Sequence, residues 1–156
     1  MKIVVYLLVV SGLIYYVMTH HSPFQTEATD PYFVEIRLDI KESDVQLVGV
    51  GKMFSLEDCQ ARAALVWMDT LKHMGQVRVS SNCKKDLPKK YLKLFDNKKS
   101  SASYVAFDRG EGGERDARFL FYGIPSSYVY KECETLTKKA KEKYSGDIYC
   151  IQGTVG

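Results

Sequence analysis

Histidine is scarce in this chain: three residues in 156, His20, His21 and His73. His20 and His21 follow an apolar run and His73 sits near the predicted end of a helix. A nucleophile–histidine pair would therefore rest on His73 alone, and a His-rich zinc cluster is excluded. No C-x-x-C pair occurs among the four cysteines, so neither ribbon-type zinc nor a dithiol redox site has its spacing. Gly49-Val50-Gly51 lacks the further Gly and the Lys-Ser/Thr pair of a phosphate loop. Strong net charge is also missing. The formal balance is +3, too mild for the basic footprint of a nucleic-acid protein. These absences lead to the expectation of a non-enzyme with no cofactor, no metal and no nucleic-acid partner.

What the chain does have begins at its N-terminus. After Met1 and Lys2, Ile3 to Met18 runs without a charge. Its sixteen residues fall between a signal-peptide core of about 7–15 residues and a spanning helix of about 17–25. Tyr15 and Tyr16 suit a headgroup layer at the exit side. The nearest small-x-small site is far downstream, at Thr26-Glu27-Ala28, and no nearby Cys allows lipoprotein processing. The expectation is an uncleaved signal-anchor: residues 1–20 a transmembrane helix contacting lipid through residues 3–18, residues 21–32 a linker, and residues 33–156 one exported α+β domain. A cleaved signal peptide with a poor site is the alternative, and both readings export the rest. Lys2, the lone charge before the span, places the N-terminus in the cytoplasm and the domain in the periplasm or outside the cell.

The cysteines agree with that compartment, since an even set without C-x-x-C suits oxidation. Phe33 to Ile40 alternates apolar and polar as a half-buried strand, and Gln46 to Phe54 is a second strand. Ser55 then caps a helix, with Asp58 able to reach back to it. The helix is predicted to reach Met74 and stop at Gly75. Leu56, Cys59, Ala63, Val66, Trp67, Leu71 and Met74 form its apolar stripe. Val77, Val79, Ser81 and Cys83 share one face of the next strand. The plan recurs. Arg118 to Ile124 is a strand, and Pro125 with Ser126 or Ser127 opens a helix. Val129, Cys133, Leu136, Ala140 and Tyr144 form that helix's stripe, and Ile148 and Cys150 share a strand face.

Distances favour pairing within each unit. From Cys59 a helix climbs about 24 Å to Gly75, and the returning strand covers about 26 Å to Cys83. The second unit's arms, about 20 and 13 Å, match only if the helix ends before Tyr144. The expected bridges are Cys59–Cys83 and Cys133–Cys150. The expected fold is an antiparallel sheet with two helices on one face, built from two strand–helix–strand units each stapled by a disulfide. Ala102 to Phe107 and Arg118 to Ile124 flank the loop Asp108 to Ala117. Its Asp108, Glu111, Glu114 and Asp116 could hold calcium, but Arg109 and Arg115 interleave them, so the loop reads as a solvated hairpin tip.

The segment from Gly49 to Val79 (GVGKMFSLEDCQARAALVWMDTLKHMGQVRV) resembles half of a SPOR domain. Gly51, Phe54, Ser55 and Ala61 to Ala64 match that family's strand, Gly-x-Phe-Ser-like turn and Ala-rich helix. In the second half Gly123, Pro125 and Ser126 match. The resemblance implies binding of peptide-stripped peptidoglycan on the sheet face. Two features depart from the pattern: an extra strand, Phe33 to Ile40, and an insertion of more than thirty residues between the halves.

The clearest surface feature is basic. Lys84, Lys85, Lys89, Lys90, Lys93, Lys98 and Lys99 surround Leu87, Tyr91, Leu92, Leu94 and Phe95. Such a stretch can lie against an anionic surface, or be a loop that tucks apolar residues in and leaves its lysines in water. Lys138, Lys139, Lys141 and Lys143 form a second run. The functional expectation is a membrane-anchored, non-catalytic accessory or binding protein that recognises another envelope protein or polymer. The alternatives are a subunit of a larger membrane complex, the SPOR-like peptidoglycan binder, and a small envelope enzyme or inhibitor.

Overall fold

A computed structural model describes residues 2–19, 30–66, 77–111, 114–142 and 144–154. Most of the expected linker lies outside the described residues, as do all three histidines, the second half of the first predicted helix (Trp67, Leu71, Met74, Gly75), and Lys143.

The elements are α1 (Lys2–Thr19), β1 (Tyr32–Ile40), β2 (Gln46–Met53), α2 (Leu56–Val66), β3 (Val77–Lys84), a short α3 (Lys89–Leu92) continued by a 3-10 turn (Lys93–Asp96), β4 (Ser103–Phe107), β5 (Ala117–Tyr122), α4 (Ser126–Ala140) and β6 (Ile148–Ile151). The six strands form one sheet in the order β3-β1-β2-β5-β4-β6, with every neighbouring pair antiparallel. The order splits into two equal halves. In each, the first strand lies between the second strand and the strand after the helix: β3-β1-β2 on one side, β6-β4-β5 on the other.

The repeat is therefore strand–strand–helix–strand, one strand longer than the sequence suggests. Phe33 to Ile40 is not an extra strand; it is the counterpart of β4. Part of the apparent insertion is likewise the second unit's own first strand. Both crossovers are closed by a disulfide as expected, Cys59–Cys83 with Cα atoms 6.0 Å apart and Cys133–Cys150 at 5.8 Å. The second closes because α4 ends at Ala140, short of Tyr144, which leaves a loop to bring β6 back.

The capping of the two helices differs. Asp58 N–H donates to Ser55 Oγ at 3.1 Å, as expected. The Asp58 carboxylate, however, accepts from Phe54 N–H at 3.1 Å rather than from Ser55. At α4 neither Ser126 nor Ser127 caps; the cap position is Pro125, without a side-chain bond. Just before it, Gly123 has φ +73°, and a Cβ there would stand 2.3 Å from the Asp44 carbonyl, so only glycine fits that corner.

The helical face differs most from expectation. Three helices cover it, not two: α1 lies against both α2 and α4. Leu7, Ser11 and Ile14 are buried beneath it. The Tyr15 ring stacks on Phe107 at 4.3 Å between centroids and meets Tyr144 edge-on at 5.2 Å. Tyr15 and Tyr144 share a hydroxyl–hydroxyl contact, and Tyr144 donates to the Asp108 carbonyl. Among the described residues no helix is long and apolar enough to cross a membrane. The expected free-standing span is thus a layer of the domain, because α1 is apolar all round and its inner stripe finds the sheet. Its outer stripe, Ile3, Val5, Tyr6, Val9 and Leu13, stays 45–53% exposed.

The opposite sheet face has its own smaller core. Val48, Val50, Tyr104, Ala106 and Leu120 pack under Leu87, Tyr91 and Leu94. The segment from Leu87 to Phe95 is therefore a covering of that face.

Candidate functional site

Three charged constellations emerge, one on each face of the sheet and one along the covering segment. The lysine stretch is the one that is conspicuous in the sequence. Lys85, Lys89, Lys90, Lys93, Lys98 and Lys99 are exposed and Lys84 is half-buried. Leu87, Tyr91 and Leu94 are buried beneath them, while Leu92 is 49% exposed. Three of the lysines have anionic neighbours: Lys84 bonds Glu35 at 3.2 Å, Lys98 pairs with Asp96 at 3.2 Å, and Lys85 pairs with Asp30. Lys90 lies 4.7 Å from the Tyr91 ring centroid. Lys89, Lys90 and Lys93 project from the same short helix-and-turn.

Replacing Lys89, Lys90 and Lys93 together by Gln should weaken any association with anionic vesicles, and so should added salt, since exposed charges are screened over roughly 8–10 Å. The melting temperature should barely move, because exposed substitutions usually shift stability by about 0.5 kcal/mol or less. Equal vesicle binding by the parent and the triple variant at low salt would make the stretch a mere covering.

Beneath the covering segment, Glu35 is buried and bonds Arg37 at 2.6 Å and Lys84 at 3.2 Å. Burial alone would push its carboxyl up. The hydrogen bonds and charges of Arg37 and Lys84 outweigh that and hold it below the ordinary carboxylate range. Arg37 also donates to Tyr91 Oη at 3.3 Å, tying β1 to α3. On the same face Arg118 is 1% exposed. It donates to the carbonyls of Leu94, Phe107, Ala117 and Phe95 and to Asp108 at 2.5–3.5 Å. A guanidinium has five N–H donors, and five acceptors surround this one. Arg118 is a structural pin that clamps the Lys93–Asp96 turn to the sheet.

The third constellation, between α2 and the β4–β5 loop, is the one that sequence reasoning missed. Asp58 Oδ1 accepts from Arg62 Nε at 2.6 Å, and Asp58 Oδ2 accepts from Arg115 Nε at 3.1 Å. The Arg115 guanidinium stacks 3.5 Å over the Phe54 ring. Both arginine side chains are 2% exposed. Burial would raise the Asp58 carboxyl, but hydrogen bonds from Arg62 and the Phe54 N–H, with both arginine charges, hold it low. Burial pulls Arg115 down, and the neighbouring Arg62 charge adds to that. Unlike Arg118, Arg62 is incompletely served: Nη1 and Nη2 are buried without a hydrogen-bond partner.

The β4–β5 loop is accordingly not a solvated tip. Glu114 and Arg115 are buried, and Ser145 Oγ donates to Glu114 at 2.8 Å. The four acids weighed for calcium are spread out. Asp108 serves Arg118, Asp116 accepts from the Arg109 N–H at 2.8 Å, and Glu114 meets Ser145. Among the described residues no cluster of three metal-ligating side chains exists. A cleft of about 450 Å³ between α2 and β3, lined by Leu56, Gln60, Ala63, Ala64, Ser81, Asn82 and Cys83, offers no titratable group along that lining.

The sequence did hold one signal for the buried arginines. Arg62 falls three residues after Cys59 and four before Val66, beside the apolar stripe of α2, and four after Asp58. A charged residue next to a buried stripe with an opposite charge one turn away is an internal pair in waiting. Arg115 gave no such signal, because only the tertiary fold brings its loop to α2.

Comparison with family models, with curated proteins and with solved structures finds no match for this chain.

Proposed function

We propose that this chain is a non-catalytic accessory or binding domain that works in an oxidising compartment at a membrane, recognising another envelope protein or polymer. The observation that carries the reading is the pair of disulfides, one per repeat. Reducing cytosol would leave such thiols unpaired, whereas periplasmic and extracellular conditions keep them bridged. The apolar outer stripe of α1 supports attachment to a lipid surface on the side where the domain lies. The exposed lysines from Lys85 to Lys99 suit an anionic partner.

A second reading, a subunit of a larger membrane complex, is favoured by the same α1. The helix already packs on its own domain through one stripe, and the other is free to meet a partner's helix. Ser11 contributes little to that contact, since it is buried and bonds back to Leu7 and Leu8 carbonyls. Peptidoglycan recognition of the SPOR kind would have to use the part of the sheet face that α3 leaves open, around Arg78, Ser80 and Asn82 on β3.

The test is fractionation of cells expressing the full chain, followed by thiol alkylation and crosslinking. The expected protein sediments with membranes, needs detergent, retains Met1 or Lys2 and resists alkylation until reduced. An N-terminus starting after Ala28 would show a cleaved leader and remove the anchor. Soluble protein with four alkylatable thiols would sink the proposal. One stoichiometric crosslinked partner would favour the complex-subunit reading.

A further inference from the structure

We propose that the cleft between α2 and β3 takes an extended peptide segment of a partner protein, which adds to the free edge of β3 as a further strand of the sheet. Where it meets α2, the segment has small, neutral side chains. The inference names the kind of partner for the binding reading above and rests on that reading; neither the compartment nor lipid attachment enters.

The edge comes first. β3 is the outermost strand of the sheet and pairs with β1 from Val77 to Lys84. Its other edge takes no strand among the described residues, so its outward N–H and C=O groups are open to a further ladder. The strand at the far end of the sheet, β6, has only four residues, and shortness is one way in which an edge is kept from pairing. β3 has eight, and Arg78, Ser80, Ser81 and Asn82 along it are exposed. The cleft comes second. Successive side chains of a strand point to opposite faces. Ser81, Asn82 and Cys83 all line the cleft, so it meets β3 along its backbone edge rather than on one face. Leu56, Gln60, Ala63 and Ala64 make the other wall, one stripe of α2 at helical spacing. From Leu56 to Ala64 that stripe is about 12 Å long, room for about four extended residues. The bridge from Cys83 to Cys59 on α2 fixes the spacing of the walls, so binding requires little ordering of this chain.

The chemistry of the two walls decides the occupant. A strand edge is matched by a row of backbone N–H and C=O groups, which an extended polypeptide supplies at every residue and a glycan does not. The helix wall has two alanines and no titratable side chain. It accepts small neutral side chains and rejects charged ones, which would be desolvated there without a partner. On the other face of β3 the exposed Arg78 favours a carboxylate across from it on the added strand. A second copy of this chain fits less well. Pairing β3 with β3 about a two-fold axis would bring both α2 helices to the same side of the joint sheet, where they would compete for the space of the clefts.

The test pans a phage-displayed library of random decapeptides against the full chain and maps the selected peptides by hydrogen exchange. Those peptides should slow the outward amides of β3, which exchange fast in the free chain. They should bind about tenfold or more weakly to Ala64→Trp, whose ring fills the groove. Ala64 is exposed, so the melting temperature should hold; Gln60→Trp, at another exposed position, decides should the first variant fail to fold. N-methylation of alternate peptide amides should abolish binding in one of its two phases, because it removes the ladder donors. A library that yields no binder would overturn the groove, as would binders that protect other segments and ignore both Trp variants. Partner crosslinking that persists in the Trp variants would then leave the binding reading standing without the groove, and its absence from the parent would sink both. Slow outward amides in the peptide-free chain, with a dimeric mass, would mean that a second copy holds the edge and would overturn the peptide proposal.

Discussion

Replacing Cys59 and Cys83 together by Ala should cost about 3.5 kcal/mol of folding stability, and replacing Cys133 and Cys150 about 3 kcal/mol. The bridges span 24 and 17 residues of sequence, and the loop-closure entropy that a bridge removes from the unfolded chain rises only slowly with such lengths. The totals are therefore close, while their local consequences should differ. Cys83 sits on β3, eight residues long and paired over its whole length with β1. Cys150 sits on β6, four residues long and paired only with β4. Each is an edge strand, held to the sheet on one side and to a helix through sulfur. Without its bridge β3 keeps a full ladder, but β6 keeps four register positions and a half-buried face. Hydrogen exchange should then show Tyr149 to Ile151 losing protection in the second variant well below the global unfolding temperature, with β3 in the first variant staying protected until the whole domain opens. Urea melts measure the totals. Either variant losing less than about 1 kcal/mol would mean that the helix–strand packing holds these crossovers without sulfur.

Those bridges were legible in the sequence because each depends on local periodicities. A cysteine on a helical stripe and a cysteine on a strand face, with matching climb and return, leave one simple pairing. The sheet's order was less legible. Nothing local says that Phe33–Ile40 and Ser103–Phe107 are equivalent, since their equivalence lies in what they pair with. The placement of α1 was hidden for a different reason. A run apolar on all sides is equally satisfied by lipid and by a sheet, and Ile3 to Met18 carries no polar stripe to break the tie. The polar loop Asp108 to Ala117 misled because composition reports solvation only when no partner is waiting. Here the carboxylate of Asp58 and the ring of Phe54 draw Arg115 inside, and in the sequence Asp58 signals only a helix cap.

Asp58 is where the largest single-residue loss is expected. Asp58→Asn should destabilise the fold by about 3–5 kcal/mol, because it removes the carboxylate that two buried guanidiniums share. Arg62→Met should be neutral or stabilising by about 1–4 kcal/mol, since it deletes a buried charge whose terminal nitrogens lack partners and keeps the Arg115–Asp58 pair. The two should not add: in the Arg62→Met background Asp58→Asn breaks one buried ion pair instead of two and should cost less than in the parent. Acid gives an independent readout. The folded Asp58 carboxyl is held below its ordinary value, so the unfolded chain binds the proton first as pH falls. Its contribution is complete above the unfolded value of about 3.9 and is lost as pH drops through the folded one. Glu35, also held low, fades over the same acidic window. The parent should therefore lose stability steeply below about pH 4, and Asp58→Asn should show a shallower slope there with the Glu35 part remaining. Urea unfolding at neutral pH and at a series of acidic values measures both effects. An Asp58→Asn variant as stable as the parent at neutral pH, with an unchanged acid slope, would mean that the two arginines are neutralised by something other than Asp58.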